Sequence, residues 1–326
     1  EAAEKYNRIV QHGTQQRSSG GRAREIAAVH SGKYGKLQVS KGYCCKPRWS
    51  IGNKTTGTPP KGLDYNLWLG PAAEQAYHGN LVHYNWHWFW ETGNGDTGNQ
   101  GVHEMDVARW AIKGATMPKS VWSIGGRFGY EDQGETPNTQ MAVYEYDEAL
   151  LIFETRGLVG KHNIPRVVKN EYYTTEGKIT GGKFYPKNGG KAVGLDNLGG
   201  EVQPGGPFGN FIDCVRSRKR DHLNADVAEG HYSSALCHLG NISYRTGEKE
   251  AFDLKSRKFH KNPQVSEGFE ALNDNLKGIG LKLGDTTYQI GKQLEFDPIG
   301  ERFKNEGANA LLSRPYRKPF VVPENV

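Results

Sequence analysis

The chain contains few cysteines, four among 326 residues. Cys44 and Cys45 are adjacent, and neighbouring side chains of a strand point to opposite faces of a sheet. Cys214 and Cys237 fall on the apolar faces of predicted helices, where a free thiol behaves as a small core residue. The sequence therefore excludes a fold that is held together by a disulfide framework.

Long apolar runs and blocks of one charge are also missing. No apolar run reaches the roughly 18 residues of a membrane-spanning helix, so we expect no membrane partner. The 42 basic and 36 acidic residues give a net charge of +6, but they are interspersed along the chain. The densest basic cluster, residues 216–220, ends a predicted helix, where cations interact favourably with the helix dipole. We therefore expect no nucleic-acid partner.

A polar segment that leads into a predicted helix is the most informative part of the chain. Turn-forming residues precede a helix that is predicted over 101–113. At about 100° per residue, Asn99, His103 and Asp106 point within roughly 40° of one another on one helical face. A histidine between an amide and a carboxylate is suited to act as a general base, because a partner must fix the orientation and tautomer of its ring. The alternative interpretation is a hydrogen-bonded structural histidine.

The residues before this helix are rich in aromatic and imidazole side chains. Segment 83–91 holds three Trp, one Tyr and one Phe beside two His. This density indicates a pocket wall that stacks on sugar rings and binds their hydroxyls, but it is also typical of an aromatic corner of the core. Two of its histidines have the spacing of a metal-binding pair, yet no third ligand follows in a recognisable motif, so we predict no metal. The candidate substrate-binding residues are His83, Trp86, His87, Trp88 and Trp90.

Hydrophobic periodicity predicts strands and helices that do not alternate regularly. The predicted strands are 8–14, 37–45, 121–128, 140–146, 150–156, 172–175, 178–180 and 286–296, and the predicted helices are 23–30, 101–113, 208–218, 225–246 and 266–277. Runs of strands followed by runs of helices are typical of α+β proteins. We therefore predict an α+β fold with an open, largely antiparallel sheet and helices on one face.

Segment 84–110 (YNWHWFWETGNGDTGNQGVHEMDVARW) resembles the second-domain motif of the Gfo/Idh/MocA oxidoreductases, the family of glucose-fructose oxidoreductase and inositol dehydrogenase. Five further blocks resemble the same family: QHGTQQRS (11–18), DYNLWLGPA (64–72), NFIDCVRSR (210–218), NADVAEGHYSSALCHLGNISYR (224–245) and ALLSRPYRKPFVVPENV (310–326). The likeness extends over nearly the whole chain.

The resemblance implies a particular domain organisation. Family members begin with a Rossmann α/β domain that carries a Gly-rich phosphate turn and a Glu-Lys-Pro segment, and neither motif occurs in this sequence. We expect residues 1–32 to be a remnant of that domain, and residues 33–326 to form the substrate-binding and oligomerisation domain. The isolated chain is then expected to be inactive, to form a homo-oligomer through the outer face of its sheet, and to expose four apolar residues of the remnant: Ile9, Val10, Ile26 and Val29.

The resemblance also implies a function, the oxidation of a sugar or polyol by hydride transfer to NAD or NADP. Gln15 and Arg17 lie in a matching block and are the candidate cofactor-binding residues. In the family an Asp and a His four residues later surround the reacting carbon. Asn99 and His103 occupy these positions here, so the charge of the Asp is absent. Two alternatives stay open: a glycoside-cleaving enzyme that oxidises and re-reduces the same sugar with a bound nicotinamide cofactor, and a noncatalytic carbohydrate-binding module.

Overall fold

A twelve-stranded sheet organises the computed structural model, which describes residues 1–159, 167–252 and 261–323. The strands are β1 (Leu37–Cys45), β2 (Ser120–Gly126), β3 (Thr139–Glu145), β4 (Leu150–Arg156), β5 (Val167–Thr174), β6 (Gly177–Thr180), β7 (Lys183–Pro186), β8 (Val193–Gly194), β9 (Glu248–Ala251), β10 (Thr287–Ile290), β11 (Leu294–Asp297) and β12 (Arg302–Phe303). Their spatial order is β12-β11-β2-β3-β4-β1-β5-β6-β7-β8, with β10 between β2 and β9.

The pairing of these strands confirms the predicted antiparallel character. β1 and β4 run parallel, with Val39 opposite Leu150, whereas the other described pairs are antiparallel. β3 and β4 form a hairpin from two predicted strands, and so do β5 and β6, with Tyr172 opposite Ile179. Hairpins need only short turns, which is why local sequence patterns find them.

Helices cover both faces of the sheet. The described helices are α1 (Ala2–Lys5), α2 (Gly20–His30), α3 (Tyr65–Leu69), α4 (Gly95–Asn99), α5 (Gly101–Trp110), α6 (Gly206–Ser217), α7 (Val227–Arg245), α8 (Pro263–Gly278) and α9 (Glu306–Asn309). None of them combines the length and apolar character that crossing a lipid bilayer requires.

The expectation of helices on one face is wrong because β3 and β4 are apolar on both sides. On one side, Leu151 and Phe153 of β4 share a core with residues of α5 and α7, such as Met105 and Leu236. On the other side, Ile152 packs in a second core with four residues of α8, namely Val265, Phe269, Leu272 and Leu276. Alternate residues of a strand point to opposite faces, so a strand that carries apolar residues on both faces requires a layer on each side. Self-association through the outer face would have to avoid the area that α8 covers.

Residues 1–32 pack as part of the main body of the protein. The strand predicted over 8–14 does not form, since only Gln11 makes an isolated bridge, to Asp226. The helix predicted over 23–30 is confirmed as α2, and its Ile26 and Val29 share a core with residues of α5 and β5.

The exposure expected for this segment is therefore wrong for three of its four apolar residues. Ile26 and Val29 of α2 are buried against α5 and β5, and Ile9 is buried against Cys214 and Leu223. Val10 alone among the four is exposed, at 40%. The origin of residues 1–32 in a nucleotide-binding domain stays a prediction.

The helix predicted over 101–113 is shorter than expected and is preceded by a separate turn of helix. α4 ends at Asn99, Gln100 has non-ideal backbone angles (φ −109°, ψ −31°), and α5 then runs over Gly101–Trp110. A β-carbon on Gly101 would lie 2.5 Å from the ring of Phe153. The start of α5 is thus pressed against β4, and only glycine allows this approach.

We expect Gly101→Ala to destabilise the protein by about 1–3 kcal/mol, the usual cost of overpacking. Gly209→Ala is the matched control, because its β-carbon would meet no atom within 4 Å in α6. That control should be neutral or stabilise the protein by up to about 1 kcal/mol, since alanine loses less entropy in a helix. Urea unfolding of both variants tests this packing, and equal unfolding midpoints would contradict it.

Candidate active site

His103 is the third residue of α5 and is half-buried. Its Nδ1 is buried and has no hydrogen-bond partner among the described residues. Burial lowers the pKa of His103 below its usual 6.5, and the nearby Lys46 lowers it as well, while the carboxylate of Asp106 opposes the shift. The imidazole is therefore neutral at physiological pH, which is the state that a general base requires.

The predicted face of His103, Asp106 and Asn99 spans two helices, so it stays a prediction for Asn99. That residue ends α4, and the break at Gln100 separates it from the helical repeat of α5. The side-chain oxygen of Gln100 accepts a hydrogen bond from the ammonium group of Lys46, the residue that directly follows β1. Lys46, at the end of the central strand β1, thus holds Gln100 at the junction between α4 and α5. His103 lies three residues after this junction.

Asp106 does not orient His103. It is fully buried, and its carboxylate accepts hydrogen bonds from Thr14 Oγ1 at 3.1 Å, Ser233 Oγ at 2.7 Å and Arg17 Nε at 2.9 Å. Asp106 therefore joins the N-terminal segment to α5 and α7, and it acts on His103 through its charge. The sequence prediction of a hydrogen-bonded His–Asp pair is wrong because Asp106 turns towards the helix interface.

Arg17 belongs to the same buried network. Its guanidinium pairs with Asp106 and, at 2.9 Å, with Glu229 of α7, and it lies 5.1 Å from the ring of Trp110. Glu229 pairs in addition with Arg109. A direct contact between Arg17 and a cofactor phosphate would have to break two ion pairs, so the placement favours a structural role for Arg17.

The other predicted cofactor residue, Gln15, is exposed at the start of a short 3₁₀ helix, Gln15–Ser18. The next residue, Gln16, donates from Nε2 to Oε1 of Glu104 at 3.0 Å. Glu104 follows His103 in α5 and is buried, which raises the pKa of its carboxyl group. This contact brings the 3₁₀ helix alongside α5, and a role of Gln15 in cofactor binding stays a prediction.

The sequence patterns do not indicate that Gln16, Lys46 and Glu104 lie around His103 and the start of α5. Lys46 could have been found, because a charged residue directly after a buried strand often lies at a site. The contact of Gln16 with Glu104 joins residues 88 positions apart, and no local pattern indicates it.

The aromatic segment divides into a core part and a surface part. His87, Trp88 and Phe89 are buried, and the guanidinium groups of Arg127 and Arg48 lie 4.9 Å and 5.9 Å from the ring of Trp88. The assignment of His87 and Trp88 to a sugar-binding wall is therefore wrong, and the alternative of an aromatic core corner holds for them. Both are covered by neighbouring side chains, so a ligand cannot reach their rings.

The remaining members of the aromatic segment are accessible. His83 is exposed and Trp86 is 36% exposed, while Trp90 is partly covered by Arg245, whose guanidinium lies 5.0 Å from its ring. Over the described ranges, no three His, Cys, Asp or Glu side chains come together in a way that could hold a metal ion. Contact with a substrate thus stays a prediction for His83, Trp86 and Trp90.

Comparison with known proteins matches residues 29–272 to the family described as "Oxidoreductase family, C-terminal alpha/beta domain". Among solved structures, the WlbA dehydrogenase from Bordetella pertussis, in complex with NADH and UDP-GlcNAcA, superposes with a TM-score of 0.50 at 16% identity over 75% of this chain and 64% of that chain. An oxidoreductase from Agrobacterium radiobacter, in complex with NAD+, L-tartaric acid and magnesium, gives a TM-score of 0.42 at 12% identity over 73% and 63%. This chain spans less than two thirds of the length of either structure, and no curated protein matches it.

Proposed function

We propose that this chain is the substrate-binding part of an NAD(P)-dependent enzyme that oxidises a hydroxyl group of a sugar or polyol. The chain belongs to the Gfo/Idh/MocA oxidoreductase family. The observation that carries this proposal is the half-buried, neutral imidazole of His103 at the start of α5. Within this family the chemistry requires a group that takes the hydroxyl proton, and His103 has the accessibility and the pKa for it.

The residues of this chain fit one end of a nicotinamide cofactor. Gln15 is exposed and precedes Gln16, which bonds to Glu104 of α5, so its side chain is accessible to such a cofactor. Arg17 fits less well, because Asp106 and Glu229 already neutralise its charge. WlbA, the similar structure from B. pertussis, holds NADH, which supports a cofactor of this kind. When bound, the cofactor supplies the hydride acceptor.

His103 would take the proton in this reaction. As the substrate carbon loses its hydride, the attached hydroxyl group loses its proton and becomes a carbonyl. The acceptor atom on His103 is Nε2, because Nδ1 is buried. Lys46, which lowers the pKa of His103, also disfavours the imidazolium that forms, and Asp106 offsets part of that effect. The ring is therefore poised to release the proton again after each turnover.

Asn99 lacks the charge that the family places four residues before the histidine, and Asn99→Asp tests whether this matters. In the full-length protein, the substitution should raise kcat by about tenfold, because a carboxylate near an imidazolium is worth about one pKa unit. The measurement is the rate of nicotinamide reduction with a polyol substrate. Asn53→Asp, which adds the same charge at an exposed position of the 51–62 loop, should leave the rate unchanged. A lower rate for Asn99→Asp would show that the site performs different chemistry.

A further inference from the structure

The segment between β1 and α4 forms a cleft that the chemistry at His103 does not use. Its volume is about 340 Å³, at the lower end of the range of small-molecule sites, which suits a single small ring. The cleft, called here the Trp68–Trp86 cleft, is lined by Trp68, Leu69, Pro71, Ala72, Trp86, Glu91, Thr92 and Arg314.

Both indole rings of the cleft are held in place by aromatic neighbours. Trp68 stacks on Tyr65, with ring centroids 5.7 Å apart and an interplanar angle of 13°. Trp86 meets the ring of the buried His87 edge-on at 5.8 Å and keeps 36% of its surface exposed. Rings that are fixed before binding lose little entropy when a ligand stacks on them.

A carboxylate and a guanidinium lie together at the same cleft. Arg314 donates from a guanidinium nitrogen to the backbone carbonyl of Glu91 at 2.7 Å, and the two side chains approach to 3.6 Å. The Glu91 carboxylate also accepts a hydrogen bond from the backbone of Ala73 at 3.4 Å. Both side chains are partly exposed, so they can offer acceptors and donors to neighbouring hydroxyl groups, and their opposite charges favour a neutral ligand over an ion.

The C-terminal segment keeps this cleft rigid. Arg317 donates hydrogen bonds to the backbone oxygens of Asn66, Gly70 and Ala72, which flank Trp68 in the sequence. Arg314 and Arg317 thus tie residues near the C-terminus to Glu91, 223 positions earlier, and to Gly70, 247 positions earlier. A loop that is fixed by several long-range hydrogen bonds has the preorganisation of a binding site.

We propose that the Trp68–Trp86 cleft binds a neutral sugar ring. The apolar face of the ring would stack on an indole, while Glu91 accepts from and Arg314 donates to its hydroxyl groups. The inference rests on the proposed sugar or polyol class and deepens it: the substrate is a glycoside or oligosaccharide, with one ring held in this cleft. His103 does not line the cleft, so the two sites are separable by mutation.

Binding of uncharged methyl glycosides tests the proposal. The gluco-, galacto- and manno- forms are titrated against the full-length protein by calorimetry and tryptophan fluorescence, and at least one should bind saturably. Trp68→Ala should weaken that binding about tenfold through lost stacking. Trp68→Phe keeps an aromatic face and should therefore lose less binding affinity than Trp68→Ala. Trp49→Ala removes a tryptophan that is 71% exposed and does not line the cleft, and it should bind as the wild type does.

The outcomes separate this proposal from the proposed function. His103→Ala should retain glycoside binding, because it leaves the cleft intact. Absence of binding by all three glycosides, or equal affinity of Trp68→Ala, Trp68→Phe and the wild type, would overturn the cleft proposal while leaving polyol oxidation untouched. Saturable glycoside binding by a protein that does not reduce nicotinamide would support the cleft and overturn the oxidoreductase proposal.

Discussion

Replacement of His103 by alanine should lower kcat for polyol oxidation by about two to four orders of magnitude, the range typical of a lost general base. KM should change less, because the imidazole acts on the proton that leaves in the transition state. Steady-state kinetics of nicotinamide reduction in the full-length protein give both constants. His231→Ala is the matched control, since this exposed histidine of α7 pairs with Glu301 at the surface. A near-normal kcat for His103→Ala would make His103 a structural residue.

The pH dependence of the reaction provides a second test of the same residue. Burial lowers the pKa of His103, so its neutral form persists below the usual 6.5. The wild-type kcat/KM should therefore stay high down to pH 6.5 and fall only at lower pH, as the imidazole becomes protonated. His103→Ala should lose this acid limb. An acid limb above pH 6.5 would contradict the assignment, because it would require a raised pKa.

Asp106→Asn should destabilise the protein by about 3–5 kcal/mol, the cost of breaking a buried ion pair on one side. Asp106 is fully buried and accepts from Thr14, Arg17 and Ser233. Without its charge, Arg17 and Arg109 would share the single carboxylate of Glu229. The free energy of unfolding in urea measures the effect.

The control for this substitution is Asp147→Asn, which breaks the exposed ion pair between Lys119 and Asp147 at the β3–β4 turn. Exposed pairs contribute roughly 0–1 kcal/mol, so this variant should unfold near the wild-type midpoint. If both substitutions lower the free energy of unfolding by the same amount, the network around Asp106 does not hold the N-terminal segment against α5 and α7.

Local patterns predicted the elements whose partners are close in sequence. Strand β4 has the predicted bounds, and β2 and β3 differ from theirs by one or two residues at each end. The helix predicted over 225–246 is confirmed as α7, and its Leu236, Leu239 and Ile242 are buried in the core over the sheet. Each of these strands and helices is indicated by the spacing of apolar side chains along its own segment, which a single sequence shows.

The failures depend on contacts between distant residues. The strand-like segment 8–14 has no neighbouring strand to pair with, apart from one bridge at Gln11. The helix predicted over 101–113 begins at Gly101 but ends at Trp110, and no local pattern indicates that Gly101 packs against Phe153. A tryptophan-rich segment indicates a pocket, yet two arginines that are 40 and 39 positions away from Trp88 enclose its ring. Local patterns indicate the type of an element, whereas its partners depend on contacts with distant parts of the chain.

The most direct test of the account uses a polyol that carries deuterium on the carbon bearing the reactive hydroxyl group. The full-length protein is incubated with this polyol and oxidised cofactor, and mass spectrometry locates the deuterium. The account predicts one deuterium in the reduced nicotinamide and a carbonyl in the product, with His103→Ala slowing both. Deuterium that stays on the sugar while a glycosidic bond is cleaved, with no net reduction of the cofactor, would contradict it.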